Sequence, residues 1–267
     1  MKGVAHMVSI QGKVAIITGA GSGMGKATAQ LLAEKGARVV VADINQQAGE
    51  ETVALIKRSG AQALFVEADV TVPAHVRSLV DEAIASFGGV DILHNNAGTW
   101  RMHDRIEDVP DEEWLFIIGL NLNALFFMSK AVFPIMKKRG GGVIINTSSL
   151  GAFRPMPTGM SYGAAKAGAV SLTHSLAQHG KQHNIRCNCI CPAAVDTPAQ
   201  LFNAKEARER LRAAGLLDPR DIARLVLRFA GDESLNGVTV SVMLRDGKPR
   251  YFKLKDFDFA LEPFQGM

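Results

Sequence analysis

The most constraining feature of this chain is a glycine-rich turn between an apolar run and a helical segment. Residues 13–17 (KVAII) have the composition of a short buried strand, residues 18–25 read TGAGSGMG, and residues 26–35 are rich in helix formers. Glycine lets the backbone approach a ligand closely, and a helix that begins at such a turn presents free N–H groups and a positive dipole end. The pattern therefore predicts a strand–turn–helix unit that binds the phosphates of a nucleotide.

Strands and helices alternate along the rest of the chain. Apolar strands are predicted at residues 39–42, 63–67, 91–94, 143–145, 185–191 and 238–244, and helices at residues 46–57, 73–87, 111–139, 162–182 and 220–231. The helical region 111–139 is expected to break near Pro134. The alternation predicts an α/β fold with a single Rossmann-like, doubly wound parallel sheet of about seven strands and helices on both faces. Residues 10–247 form this domain, between an extension (1–9) and an aromatic-rich tail (248–267).

An acidic residue ends the second predicted strand at a distance from the glycine turn that suits a dinucleotide. Asp43 lies 24 positions after Gly19, close to the ~20 expected for the carboxylate that binds the adenosine ribose. Neither the glycine turn nor the position after Asp43 carries Lys or Arg, so the pattern favours NAD over NADP. The alternative interpretation is an ordinary surface aspartate at a strand end.

A hydroxyl, a phenol and an ammonium group can meet at the end of the strand that contains residues 143–145. Ser149 follows this strand, and Tyr162 and Lys166 share one face of the next helix, one turn apart. An ammonium group beside a phenol lowers the phenol's pKa from ~10, which predicts that Tyr162 is a general acid or base. The alternative is a half-buried packing tyrosine, because Tyr-x-x-x-Lys is common by chance.

Composition excludes several classes of protein. The net charge is only +4 and the charges are interspersed, so no nucleic-acid partner is predicted. The three cysteines, Cys187, Cys189 and Cys191, alternate along one strand about 7 Å apart, which predicts buried thiols and neither a disulfide nor a metal site. No apolar run approaches ~20 residues and no signal peptide is visible, so a cytoplasmic protein without a membrane partner is expected. Met7, after His6, is a candidate natural start, with residues 1–6 left over from cloning.

Taken together, the motifs resemble those of the classical short-chain dehydrogenase/reductase family over about residues 10–247. The matching residues are Thr18, Gly19, Gly23, Gly25, Asp69, the run Asn95-Asn96-Ala97-Gly98, Asn121, Ser149, Tyr162, Lys166, Pro192 and Thr197. The resemblance implies an enzyme that interconverts a secondary alcohol and a ketone by hydride transfer with NAD. A lyase or epimerase that retains NAD, and a nucleotide-binding protein without catalysis, stay open as alternatives.

The resemblance also implies a role for each matching residue. Ser149 would hold the substrate oxygen, Tyr162 would exchange the proton, Lys166 would bind the nicotinamide ribose and lower the Tyr162 pKa, and Asn121 would hold a water linking Lys166 to solvent. Among the cofactor contacts, Asp43 would bind the adenosine ribose, Asp69 and Val70 the adenine, Asn95 the cofactor's ribose side and Thr197 the carboxamide. The other implied contacts are Gly19, Ser22, Gly23, Met24, Gly25, Ala97, Gly98, Pro192 and Val195.

Features outside the motifs suggest the partners. An apolar, small-molecule substrate pocket is expected from Trp100, Met102, Phe153, Met156, Met160, Leu201 and Phe202, although several of these could pack the core or an interface. The resemblance implies a homotetramer. Two departures stand out: Ala193 replaces the glycine that usually follows Pro192, and five aromatic residues lie in the tail. The tail is expected to cover a neighbouring subunit or, as the alternative, the substrate entrance.

Overall fold

A computed structural model describes residues 8–103, 105–198, 209 and 215–254, and it contains one mixed sheet of eight strands. The spatial order is β3-β2-β1-β4-β5-β6-β7-β8, and all neighbours are parallel except β7 and β8. The strands are β1 (Val14–Thr18), β2 (Arg38–Asp43), β3 (Ala63–Glu67), β4 (Ile92–Asn95), β5 (Gly142–Thr147), β6 (Ile185–Pro192), β7 (Thr239–Arg245) and β8 (Lys248–Lys253). The predicted Rossmann-like fold is confirmed, with one strand more than expected.

Helices cover both faces of the sheet, because the central strands are apolar on both sides. All five residues of β1 and the middle four of β2 are buried, as expected for parallel strands. One core cluster joins the sheet to α1, α2 and α7, and the other joins it to α3, α5 and α6. The helices of the described residues are α1 (Gly23–Glu34), α2 (Gln46–Arg58), α3 (Pro73–Phe87), α4 (Asp111–Ile118), α5 (Ala124–Lys138), α6 (Met160–Gly180) and α7 (Pro219–Gly231).

The strand order creates a crevice at the carboxyl ends of β1 and β4. The chain runs outward from β1 to β2 and β3, then returns to place β4 on the other side of β1. Ligands of open α/β sheets bind at this kind of switch point, outside the carboxyl ends of the strands. The predicted phosphate turn follows β1, and the run Asn95–Gly98 begins at the end of β4.

The eighth strand occupies residues that the sequence analysis assigned to the tail. Asp246 and Gly247 both have positive φ (53° and 68°) and form a two-residue hairpin turn between β7 and β8. The strand pairs antiparallel with β7 from Arg245↔Lys248 to Val240↔Lys253. The tail residues 255–267, with Phe257, Phe259 and Phe264, lie outside the described residues.

The predicted helix break near Pro134 is wrong. Pro134 lies inside α5, and the irregular stretch is instead a π-helix at Gly119–Asn123 between α4 and α5. This stretch positions Asn121, which is completely buried. π-helical turns arise inside α-helices where function needs a particular side-chain direction.

The combined helical run Asp111–Lys138 lies within the predicted helix 111–139, but it departs from the expectation that no apolar run approaches the length of a membrane span. By length and composition alone it could span a membrane, with a mean hydropathy of 1.7 over 18 residues. In this fold the run packs against α3 and α6. Its outer surface exposes large apolar side chains, among them Leu115 and Phe126.

Candidate active site

The glycine turn is shaped by close backbone contacts. At Gly25, the second residue after the start of α1, an added Cβ would overlap the carbonyl oxygen of Gly19 and lie 2.7 Å from Nδ2 of Asn96. Asn96 donates from this nitrogen to the carbonyls of Thr18 and Gly19. These hydrogen bonds fix the turn to the end of β4. Because its glycines carry no side chains, a ligand can approach the backbone of the turn closely.

A cleft of about 670 Å³ opens beside this turn. Its walls contain ten of the predicted cofactor contacts: Gly19, Ser22, Gly23, Met24, Asp43, Asp69, Val70, Ala97, Gly98 and Thr197. Sequence reasoning missed further wall residues, namely Ile44, Ala68, Thr71, Asn96, Thr99, Arg101, Phe116, Leu120 and Pro198. Ile44, Ala68 and Thr71 could have been predicted from the sequence, because each is adjacent to a residue already selected as a cofactor contact. Phe116 and Leu120 come from the α4–α5 region, which carried no cofactor motif.

Asp43 is held in place by its own backbone surroundings. Its Oδ2 accepts a hydrogen bond from the Gly21 N–H at 2.8 Å, and its Oδ1 accepts one from the Asn45 N–H at 3.0 Å. A Cβ on Gly21 would lie 2.9 Å from both Oδ2 and the Ala48 Cβ, so Gly21 is needed for this arrangement. The negative charge is thus fixed at the cleft wall, where an adenosine ribose could bind.

The Asn95 side chain points into the core, so the predicted contact of Asn95 with the cofactor cannot come from this amide as it is placed here. Asn95 is 2% exposed, and its Nδ2 donates inward to Oδ1 of Asn146 at 2.8 Å, with longer bonds to Ser129 and Leu125. This amide joins β4 to β5 and α5 inside the core. Its neighbour Asn96 faces the cleft, because successive side chains of a strand point to opposite sides.

The two candidate hydroxyl groups meet as predicted from their spacing. Ser149 begins the short 3₁₀ turn Leu150–Phe153, and its Oγ accepts a hydrogen bond from the Gly151 N–H at 3.1 Å. The Ser149 hydroxyl also lowers the pKa of the Tyr162 phenol through its side-chain interaction with it. Ser148 is buried and donates to the carbonyl of Lys166 at 2.7 Å, so only Ser149 is available at the phenol.

Lys166 lies below the phenol as a buried amine. Its Nζ is 5.4 Å from the centre of the Tyr162 ring and donates to the carbonyl of Thr147 at 2.9 Å. Burial lowers the pKa of Lys166 to about 8, and the neighbouring thiols Cys189 and Cys191 oppose this shift. A buried amine at this pKa changes charge near neutral pH, as groups at functional sites often do.

The expected lowering of the Tyr162 pKa does not occur in this arrangement. Burial raises the pKa of Tyr162, the hydrogen bond with Ser149 offsets part of that rise, and the nearby Cys191 adds to it. The raised pKa favours the protonated form of the phenol. A protonated phenol is the form needed to donate a proton to a substrate oxygen.

Asn121 connects the cleft to Lys166. Its Nδ2 donates to the carbonyls of Thr99 at 2.8 Å and Ile117 at 3.0 Å. Its Oδ1 is buried and has no hydrogen-bond partner within the described part of the chain, although buried polar atoms are nearly always paired. A Cβ on Gly98 would lie 2.7 Å from this oxygen and 3.4 Å from Nζ of Lys166. The unpaired oxygen therefore faces the space beside Lys166, where a water molecule would satisfy it.

The segment after β6 contributes Thr197 to the cleft wall. Pro192 ends the strand in a buried position, Val195 is buried and pairs with Leu217, and Thr197 packs against the turn. A Cβ on Gly23 would lie 3.0 Å from the Thr197 methyl group. The apolar candidates Leu201 and Phe202 lie outside the described residues.

The three cysteines are free and buried, as predicted. The predicted spacing of about 7 Å is too long for one pair, since the Sγ atoms of Cys189 and Cys191 are 3.9 Å apart. Side-chain rotation brings the sulfurs closer than the backbone repeat of a strand. No group of three or more His, Cys, Asp or Glu side chains within the described ranges is arranged to hold a metal ion.

The residues present fit a nicotinamide dinucleotide. The glycine turn and the start of α1 can take the pyrophosphate, and Asp43 the adenosine ribose. Lys166 lies beside Gly98, a residue of the cleft wall, whereas Ser149 and Tyr162 do not line the cleft itself. A protonated phenol, a serine hydroxyl and a buried amine at that point can bind a carbonyl or alcohol oxygen and move one proton.

Known oxidoreductases are similar to this chain over most of its length. The sequence profile of the short chain dehydrogenase family matches residues 13–208. An uncharacterised oxidoreductase of Thermotoga maritima is 37% identical over 246 residues, covering 89% of this chain and 96% of the relative. Cyclohexanol dehydrogenase of Acinetobacter sp. is 35% identical over 236 residues, covering 88% and 94%. The crystal structure of levodione reductase is similar at 31% identity and a TM-score of 0.82, covering 87% and 96%.

Proposed function

The chain belongs to the short-chain dehydrogenase/reductase family, and we propose that it is an NAD(H)-dependent oxidoreductase that interconverts a secondary alcohol and a ketone. An oxidoreductase acting on CH–OH groups is the common activity that the names of its relatives support. The observation that carries the finer proposal is the hydroxyl pair of Ser149 and Tyr162, with Lys166 at 5.4 Å from the phenol ring, beside a cleft that holds a fixed carboxylate.

The protein's part in the reaction follows from these contacts. The bound nicotinamide would supply the hydride acceptor or donor. Ser149 would hydrogen-bond the substrate oxygen, and Tyr162 would give that oxygen a proton in reduction or take one in oxidation. Lys166 would hold the nicotinamide ribose, and its charge would favour the phenolate once it lies close to the phenol oxygen. The water proposed at Asn121 would return the proton to solvent.

Three further parts of the proposal rest on particular observations. The fixed charge of Asp43 supports NAD over NADP. A ring-bearing secondary alcohol is the proposed substrate class, by analogy with the relative named cyclohexanol dehydrogenase. A cytoplasmic location is supported by three free thiols, which fit a reducing compartment.

A homotetramer is also part of the proposal. The outer surface of α4 and α5 exposes the large apolar side chains Leu115 (68%) and Phe126 (47%). Packing this surface against a second copy would cover it. Light scattering of the purified protein measures the assembly directly.

The decisive experiment is turnover with a matched pair of tyrosine variants. The chain has only two tyrosines, so Tyr251→Phe is the control for Tyr162→Phe. We expect wild type and Tyr251→Phe to reduce NAD with secondary alcohols, and Tyr162→Phe to lose ~10²–10⁴-fold in kcat with unchanged thermal stability. If Tyr162→Phe keeps more than about a tenth of the activity, Tyr162 is not the acid or base.

The same assay separates the alternatives. A lyase or epimerase that retains NAD would convert substrate without net accumulation of NADH. A non-catalytic nucleotide-binding protein would bind NAD and turn over none of the alcohols.

A further inference from the structure

One aromatic side chain lies beside the Tyr162 phenol and has no place in the proton chemistry. The Trp100 ring centre is 6.5 Å from that of Tyr162, with the ring planes tilted by 50°. Trp100 is only partly buried, so part of its indole remains accessible. Indole offers a large, rigid apolar face that packs well against other rings.

The backbone on both sides of Trp100 is anchored. The Thr99 carbonyl accepts a hydrogen bond from Asn121 at 2.8 Å. The His103 N–H donates to the Thr158 carbonyl at 2.8 Å, and Nε2 of His103 lies 2.7 Å from Oε1 of Glu113. Trp100 is therefore held between α4 and the segment that leads into α6, and its ring is positioned before any ligand binds.

The two flanks of the phenol differ in chemistry. Lys166 and Asn121 provide an ammonium group and an unpaired amide oxygen on the side of Gly98. Trp100 provides an apolar aromatic surface. Burying the hydrocarbon part of a substrate against charged groups would be costly, so of these two flanks the indole is the favourable surface for it.

We propose that Trp100 forms one wall of the substrate subsite and selects secondary alcohols and ketones whose reacting carbon belongs to an apolar ring. This inference rests on the proposed function and names its substrate class and a specificity-determining residue. The ring of the substrate lies against the indole, while its oxygen reaches the two hydroxyl groups. Acyclic alcohols of similar polarity reach the same hydroxyls without using the indole.

The kinetic test compares ring and open-chain substrates in matched variants. Cyclohexanol and 1-indanol are measured against 2-propanol and 2-butanol, with NAD, in wild type, Trp100→Phe, Trp100→Ala and the control Trp114→Phe, which changes the only other tryptophan. We expect Trp100→Ala to lose ~10- to 200-fold in kcat/KM for the ring alcohols, the range for lost apolar pocket contacts, and less than about threefold for the open-chain alcohols. Trp100→Phe should keep most of the wild-type kcat/KM for the ring alcohols, because phenylalanine retains an aromatic face.

Each other outcome overturns the inference. An equal loss on both substrate classes would mean that Trp100 only supports Tyr162, and no loss would mean that the indole does not meet substrate. A wild type that prefers open-chain alcohols would also contradict it.

A binding measurement keeps the inference separable from the proposed reaction. In the Trp114→Phe protein, Trp100 is the sole tryptophan, and its fluorescence is titrated with 1-indanone and with acetone in the presence of NAD. We expect saturable quenching by 1-indanone only. Absence of that quenching overturns the subsite, whereas quenching without turnover of any alcohol would preserve the subsite and reject the proposed function.

Discussion

At the scale of single residues, Asp43 shows how a carboxylate is prepared for cofactor selection. Two backbone N–H groups fix its oxygens, so the charge cannot turn away from a 2′-phosphate. We expect wild type to use NAD at least ~10-fold more efficiently than NADP in kcat/KM, and Asp43→Ser to narrow that ratio. Asp69→Asn, in the same cleft, is the control and should leave the ratio unchanged. Equal efficiency of wild type with NADP would reject the assignment.

His94 is a residue whose burial makes stability depend on pH. It is completely buried on β4, its Nε2 lies 3.0 Å from Oγ1 of Thr147, and burial lowers its pKa from 6.5 to about 3. Between those values the unfolded chain binds a proton that the folded protein does not, so stability is lost as pH falls from about 6.5 toward 3.

The measurement is the free energy of unfolding against pH for wild type and His94→Gln, whose amide can still bond Thr147. Relative to this variant, wild type should lose up to ~1.4 kcal/mol per pH unit within that window. His75→Gln, at an exposed position, should behave as wild type. Identical slopes for wild type and His94→Gln would show that His94 is not the group responsible.

Motif spacing in the sequence predicted which residues lie near the site, but it did not predict the direction of each side chain. Ser149 was selected as the serine that matches the family motif, and Ser148 donates instead to the Lys166 carbonyl. The motif that contains Asn95 marks a stretch of chain, while the direction of each side chain depends on the strand's pleat. The inward amide of Asn95 pairs with Asn146, 51 residues later, and no local pattern reveals such a partner.

At the scale of elements, the glycine turn and the π-helix respond differently to the same substitution. Gly25→Ala would put a methyl group into the Gly19 carbonyl, which belongs to the rigid backbone. Gly119→Ala meets no atom within 4 Å, and its φ of −54° suits any residue. We expect Gly25→Ala to lose NAD binding and to lower the melting temperature. Gly119→Ala should be neutral or stabilising by up to ~1 kcal/mol.

NAD titration and thermal unfolding of both variants check this prediction. Normal NAD affinity in Gly25→Ala would mean that the turn is not the phosphate site.

The α4–α5 region explains why its irregularity was predicted at the wrong residue. Proline removes one helix hydrogen bond, so Pro134 was the visible signal for a break. The helix nevertheless continues through Pro134, which lies on an exposed side of α5. The actual irregularity at Gly119–Asn123 lets Asn121 reach the Thr99 carbonyl in a distant loop. This hydrogen bond is a tertiary contact, so it could not be predicted from the local sequence Gly-Leu-Asn-Leu-Asn.

At the scale of the whole molecule, the alternation of strands and helices was sufficient to predict the parallel sheet, but not its last edge. The turn at Asp246 and Gly247 was visible, yet the following Lys-Pro-Arg-Tyr-Phe-Lys carries a proline and three cations that are uncommon in central strands. Those residues suit an edge strand, where proline and charge discourage pairing with further chains. β8 thus covers β7, whose Val242 is completely buried.

This edge strand changes how the tail hypothesis must be tested. A truncation after Gly247 would remove β8 and uncover β7, so its effects would mix lost folding with any role of the tail. Leu254 still donates from its N–H to the Thr239 carbonyl at 2.9 Å, which makes it the last residue tied to the sheet among those described. Truncation after Leu254 therefore removes only residues 255–267 and keeps the sheet.

If the tail covers a neighbouring subunit, this shorter protein should keep its fold, lose oligomeric mass in light scattering and melt at a lower temperature, because it lacks the tail's three phenylalanines. Its KM for alcohol should stay near that of the full chain. A raised KM with unchanged mass would instead identify the tail as a cover of the substrate entrance. Unchanged mass, melting temperature and KM would reject both roles of the tail. In that case the truncation after Gly247, which we expect to aggregate through the exposed edge of β7, would report the effect of losing β8 alone.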